Sequence, residues 1–175
     1  MKRVTICLLL LSLVVFSCKR KKRDMLIGTW HAVKLENPDM DSFFINSQAY
    51  IDTVGKGHDA ATNMQLYGVA NMDSMRIILQ RQYDSTKALQ MNSVTNTVFK
   101  FRKDSVVILS FNGAVDSSKW YFDSDGALIL DQLNSGGGDK ARLEIMALSD
   151  TALKLKFQEN GSNSIVTFHP ETPNP

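Results

Sequence analysis

The sequence predicts an all-β protein with one inserted helix: an eight-stranded antiparallel up-and-down barrel, or a strongly curled meander, over residues 26–170. Three observations predict it. From Thr97 onward apolar and polar residues alternate, as where Phe99 and Phe101 face one way and Lys100 and Arg102 the other, the period-2 rhythm of half-buried strands. Turn-forming pairs separate these runs: Lys103-Asp104, Asn112-Gly113, Asp125-Gly126, Ser149-Asp150 and Asn160-Gly161, of which Asn-Gly is the strongest hairpin signal. Before them, residues 72–91 carry Met72, Met75, Ile78, Leu79, Gln82 and Leu89 near helical spacing.

Taken in order, residues 26–35 read as a first strand opened by Gly28, since Thr29, Trp30 and Val33 suit a pleated surface. Residues 36–61, with Asn37-Pro38-Asp39 and Gly55-Lys56-Gly57, read as an irregular crossing. The helix over 72–91 has Asp73 or Ser74 as a cap, with a start anywhere from 60 to 73. The whole inserted segment is 36–92. Seven strands then follow through short turns, so neighbours are antiparallel, and sequential hairpins close well as a barrel. Residues 171–175 read as a frayed tail.

The N-terminus has its own logic. Met1-Lys2-Arg3 is a charged opening, Val4 to Phe16 is apolar, and Ser17-Cys18 follows. The run is shorter than the ~20 residues that a membrane span needs, so residues 1–17 read as a signal peptide. Val15-Phe16-Ser17-Cys18 resembles the lipobox of bacterial lipoproteins. That resemblance implies cleavage between Ser17 and Cys18, a diacylglycerol on the Cys18 sulfur, and a membrane contact through that lipid. Losing Cys7 leaves Cys18 as the one cysteine, so no intrachain disulfide can form and the core must hold the fold.

Residues 18–25 read as a lipidated basic linker. Its run Lys19-Arg20-Lys21-Lys22-Arg23 is either a solvated leash or an aid to anionic headgroups, worth about 1 kcal/mol per basic residue at a charged surface. From Asp24 onward there are 13 basic and 18 acidic residues. A mildly acidic fold does not offer the basic face that nucleic acids require. Surface-exported lipoproteins resemble one another in carrying acidic residues after the cysteine. The basic run here instead implies a place at the outer membrane of the bacterial envelope, facing the periplasm.

The strand pattern as a whole resembles the lipocalin-like lipoproteins of Gram-negative bacteria. The resemblance rests on Gly28-Thr29-Trp30 on the first strand, on the helix before the second strand, on Lys119–Leu130, and on the rhythm of Leu143-Glu-Ile145 and Leu153-Lys-Leu155. It implies a small barrel for an apolar ligand or partner, with Gly28 and Trp30 structural and Trp30 plugging one end. The long segment 36–92 departs from that family's pattern.

The inward set then includes Phe99, Phe101, Trp120 and Phe122, which are the candidate ligand-binding residues, and Leu143, Ile145, Leu155, Phe157 and Phe168. An eight-stranded barrel either fills with such side chains or holds one small ligand. Both readings stand at this point: a binding module for a small apolar molecule, and a filled structural or protein-interaction module whose partner the sequence does not name.

Catalytic and metal chemistry leaves little trace. His31, His58 and His169 lie in no ligand spacing, and no metal or other cofactor is expected. Asp123-Ser-Asp-Gly126 opens like a calcium loop, but its twelfth position is Asn134, so a hairpin turn is expected. Gly136–Gly138 lacks the Gly-Lys-Ser/Thr of a phosphate loop, and no Gly-x-Ser-x-Gly elbow occurs. No enzymatic activity is expected.

Overall fold

The structure is a computed structural model and describes residues 22–132, 140–159 and 161–171. The signal segment, Ser17, Cys18 and the Gly136–Gly138 loop lie outside the described residues, as does all of the tail but Glu171. The chain runs α1 (Lys22–Leu26), β1 (Gly28–Glu36), α2 (Pro38–Thr53), α3 (Ala60–Tyr67), α4 (Met72–Thr95), then β2 (Val98–Phe101), β3 (Val106–Phe111), β4 (Ala114–Phe122), β5 (Leu128–Gln132), β6 (Lys140–Leu148), β7 (Leu153–Glu159) and β8 (Ser162–Pro170). The eight strands form a closed antiparallel barrel in sequence order, with β8 returning to β1.

The strands put one end of the barrel at Gly28, Phe101, Phe122 and Pro170, and the other at Glu36, Val98, Phe111 and Ser162. The first end is packed solid. Leu26, Trp30, Phe101, Trp120, Leu128, Leu153, Leu155 and Phe168 are buried in one cluster. An aromatic chain crosses it, Phe99 to Phe101 at 6.1 Å, Phe101 to Trp120 at 5.5 Å and Trp120 to Phe122 at 6.0 Å between centroids, each an edge contact favoured by the ring quadrupoles.

Helix α1 seals this floor. Lys22 Nζ donates to the Gly126 carbonyl at 2.7 Å, and Arg23 donates to Ser105 Oγ at 2.8 Å. The Arg23 guanidinium lies 4.5 Å from the Trp120 ring and the Lys22 ammonium 5.3 Å from Phe122. Trp30 Nε1 donates to the Leu26 carbonyl at 2.9 Å. Lys22 and Arg23, within the segment read as a basic linker, are therefore docked on the floor of the barrel. Here the charged heads lie over ring faces as cation–π contacts while their N–H groups reach a carbonyl and a hydroxyl.

The segment 36–61 is not irregular either. Asn37 caps α2 by accepting from the Met40 N–H at 3.0 Å, with Pro38 in the first turn, where a missing N–H costs nothing. Asp59 caps α3, accepting from the Thr62 N–H at 2.7 Å, and Gly68 ends it in the left-handed region. The expected helix over 72–91 is α4, and it runs on to Thr95. The insertion thus carries three helices where one was expected.

Helices α2 and α4 pack together through Phe44 on Tyr83 at 5.5 Å, a Gln48–Gln80 hydrogen bond at 3.0 Å, and Arg76 Nε donating to the Val54 carbonyl at 3.1 Å. Of the expected stripe on α4, Met72 is buried and Met75 and Leu79 are half-buried. Ile78 and Leu89 point to solvent instead, with Ile77 and Met91. The pair of helices stands out from the barrel as an arm, joined through α4 on β1 and through Asn37 on Ser164. Among the described residues no helix is long and apolar enough to cross a membrane.

Candidate functional site

The second end of the barrel is hollow. A cavity of about 420 Å³ lies between the inner faces of the upper strands and the root of the helical arm. Its wall is apolar, formed by Phe99, Leu155, Phe157, Val166 and Phe168 from the strands and by Met40 and Val94 from the arm. Strand alternation sends these side chains inward. Asn37, Gln90, Ser93, Thr97 and Ser164 add polar groups. Several are already engaged: Asn37 Nδ2 donates to Ser164 Oγ at 2.9 Å, Thr97 Oγ1 to the Ser93 carbonyl at 2.8 Å, and Asn112 Nδ2 to Ser93 Oγ at 2.9 Å. No charged side chain lines the cavity among the described residues. Its volume falls in the ~300–1,000 Å³ range of small-molecule sites, far above the water-sized voids of a packed interior.

Beside it the barrel wall opens. Strands β6 and β7 pair at Leu148–Leu153, Ala147–Lys154, Ile145–Leu155 and Glu144–Lys156, and among the described residues the ladder ends there. Above that point residues 140–143 pair with β5, and residues 157–159 pair with β8. A slot lies between the two strands. Phe99, Leu143 and Phe157 line both slot and cavity, and Lys140, Arg142, Glu144, Lys156 and Gln158 stand at the slot's outer rim.

The rim is charged and paired. Arg142 Nε donates to Asp123 at 3.0 Å, Lys140 contacts Asp131 at 3.4 Å, and Lys156 contacts Glu144 at 3.5 Å. A hydrogen bond to Tyr121, and next one to Asp131, raise the Lys140 pKa, so its ammonium stays charged. At the end of β1, the Lys34 hydrogen bond and charge lower the Glu36 pKa.

The residues singled out from sequence divide between the two ends. Phe99 lines the cavity. Phe101 and Trp120 are buried in the floor cluster, and Phe122 packs on Trp120 outside the cavity. Their inward direction is as expected, but their height places them below the hollow. Gly28 opens β1 at φ +145°, a conformation that a side chain resists, and Trp30 is buried beside it.

His31 sits opposite His169 across β1–β8, while His58 stacks on Tyr67 in the arm. No group of three metal-ligating side chains forms among the described residues. Asp123 accepts from the Asp125 and Ala127 N–H groups, which makes the Asp-rich loop a turn. The sequence reading missed Met40, Gln90, Val94 and Ser164 as cavity residues. The Asn37-Pro38 cap was the available signal for the first of these, because a helix begun there brings Met40 over the mouth.

No protein-family model matches the chain, and no curated protein matches it. A solved structure does. The crystal structure of a DUF4847 family protein from Bacteroides vulgatus is similar at 13% identity, covering 86% of this chain and 96% of that one, with a TM-score of 0.42.

Proposed function

We propose that this protein is a lipid-anchored, non-enzymatic binding module that holds a small apolar ligand at the bacterial cell envelope, on the periplasmic side of the outer membrane. The cavity of about 420 Å³ carries the reading. Apolar walls without a charged group favour a molecule with little charge inside the barrel, because an unpaired charge there would lose its hydration. The anchoring half rests on residues 1–18 and the resemblance of Val15–Cys18 to a lipobox. The lipocalin resemblance of Gly28-Thr29-Trp30 points the same way, and in this fold Trp30 serves the floor.

The test is a titration of the full chain with N-phenyl-1-naphthylamine, a neutral probe that brightens in apolar surroundings. Saturable binding is expected for the wild type, and a loss of at least tenfold in affinity for Val166→Trp, which fills the cavity. Overpacking costs about 1–3 kcal/mol, so Ser164→Leu serves as a milder second variant, and thermal melting reports whether each is folded. No saturable binding by folded wild type would overturn the reading.

A second reading is favoured by the arm, where Phe43, Ile45, Ile78 and Leu89 are exposed. Such a surface fits a protein-interaction module, and that role would stand alone if the cavity takes no probe.

A further inference from the structure

The end of the β6–β7 ladder gives the cavity a second way out, through the wall instead of the mouth. Closed barrels have every strand paired along its length, since an unpaired edge leaves N–H and C=O groups without partners. Among the described residues the pairing stops at Glu144–Lys156, and the strands above it each keep their other neighbour. The slot between them adjoins the cavity across Phe99, Leu143 and Phe157. These three side chains are apolar, and Leu143 is buried while Phe99 and Phe157 are half-buried. A methylene chain can lie across them without leaving apolar contact.

The chemistry changes sharply over that short path. The inner side offers Phe157, Val166 and Phe168. The outer rim offers donors: Lys140, Arg142 and Lys156 are cationic and Gln158 and Asn163 are amides, with Glu144 the one carboxylate among the described lining residues and Asp131 and Asp123 paired to Lys140 and Arg142 from β5 and the neighbouring turn. The Lys140 and Lys156 ion pairs, at 3.4 and 3.5 Å, are long and partly exposed. Such pairs contribute little and exchange partners readily. Among the described residues no strand pairs with the facing edges above Glu144–Lys156, and an acceptor-rich group would satisfy N–H groups that point into the slot there.

We propose that the ligand is a single-chain amphiphile with an anionic head, its tail in the cavity and its head at the slot between β6 and β7, bound by Lys140, Lys156 and the strand edges. This rests on the cavity reading above and goes further by naming the ligand class and the route. A neutral cavity joined to a donor-rich rim accommodates both halves of such a molecule. A purely apolar ligand would leave the rim unused, and a compact anion would leave the cavity empty.

The test compares dodecanoate with dodecanol on the full chain, made in the cytoplasm and purified without detergent, at neutral pH and low salt. Wild type is expected to bind dodecanoate more tightly. The double variant Lys140→Gln/Lys156→Gln is expected to lose roughly tenfold for dodecanoate, the sum of two partly exposed charge contacts, and to bind dodecanol as before. Direction is read from tryptophan quenching. Bromine at carbon 12 of the chain should quench Trp120 and Trp30, which lie towards the floor, and bromine at carbon 2 should not. Equal affinity for acid and alcohol, unchanged in the double variant, would overturn the slot while leaving the cavity. Failure of dodecanoate, dodecanol and the naphthylamine probe alike would overturn the cavity reading and this proposal with it.

Discussion

Asp123 shows how single residues hold the turns of this barrel. Its carboxylate accepts from the Ala127 N–H at 2.8 Å, the Asp125 N–H at 3.0 Å and Arg142 Nε at 3.0 Å. Desolvation is the largest single influence and pushes its pKa up, but the Ala127, Arg142 and Asp125 contacts together outweigh it, and the net shift is downward. A carboxyl depressed on folding stabilises the protein above its unfolded value of about 3.9, and that stability is lost as pH falls through the folded value. Asp123→Ala should therefore lower the melting temperature at pH 7, and the gap to wild type should narrow as pH drops to about 3. A gap that stays constant in melts across that range would contradict the assignment. Residue roles were unevenly legible. Gly28 and Trp30 stood out because a glycine before a buried aromatic at a strand start is a local pattern. Lys22 and Arg23 did not, because nothing in a run of basic residues tells which of them will find a ring to cover.

The arm's elements were the least readable. Helix α2 holds Phe43, Phe44 and Ile45 in succession, with Phe43 and Ile45 exposed and Phe44 half-buried. A helix that buries only a narrow stripe shows little periodicity, so the caps, Asn37 for α2 and Asp59 for α3, were better evidence than the apolar residues. The junction between α2 and α3 depends on Gly55, which sits at φ +70°. A Cβ there would lie 2.5 Å from Met72 Cγ and 3.1 Å from Asn63 Oδ1. Gly55→Ala should strain the backbone by about 1–2 kcal/mol and displace Met72 from its buried seat. Hydrogen exchange should then speed up at amides in the first turns of α4, while the amides of β7 and β8 stay protected. Unchanged exchange at α4 would mean that the arm does not depend on this packing.

At the scale of the whole molecule, closure into a barrel rather than a curled meander is seen in β8 returning to β1, while strand number and order were legible because alternation and turn residues are written locally. The hollow was not, because filling is a sum of volumes over strands that meet only in three dimensions. The same alternation built a solid floor from Phe101 and Trp120 and an open chamber around Phe157 and Val166. Anchoring also belongs to this scale. Cys18→Ser should release the chain from membrane fractions and remove any acyl mass from the purified protein. Membrane association that survives the substitution, with no acyl mass on the wild type, would sink the lipidation proposal.

The sealed floor fixes which way up a tethered molecule stands. Helix α1 begins at Lys22, so only residues 19–21 separate it from Cys18, and three residues reach at most ~10 Å. With a lipid on Cys18, the Trp120 floor would sit close against the bilayer. The chamber and arm would then point into the aqueous space, higher by a strand of nine residues, about 30 Å before tilt. Cargo carried this way would be collected from, or handed to, something across the gap, and not drawn up from the leaflet underfoot. The 24-residue α4, about 36 Å long, adds reach in that arrangement.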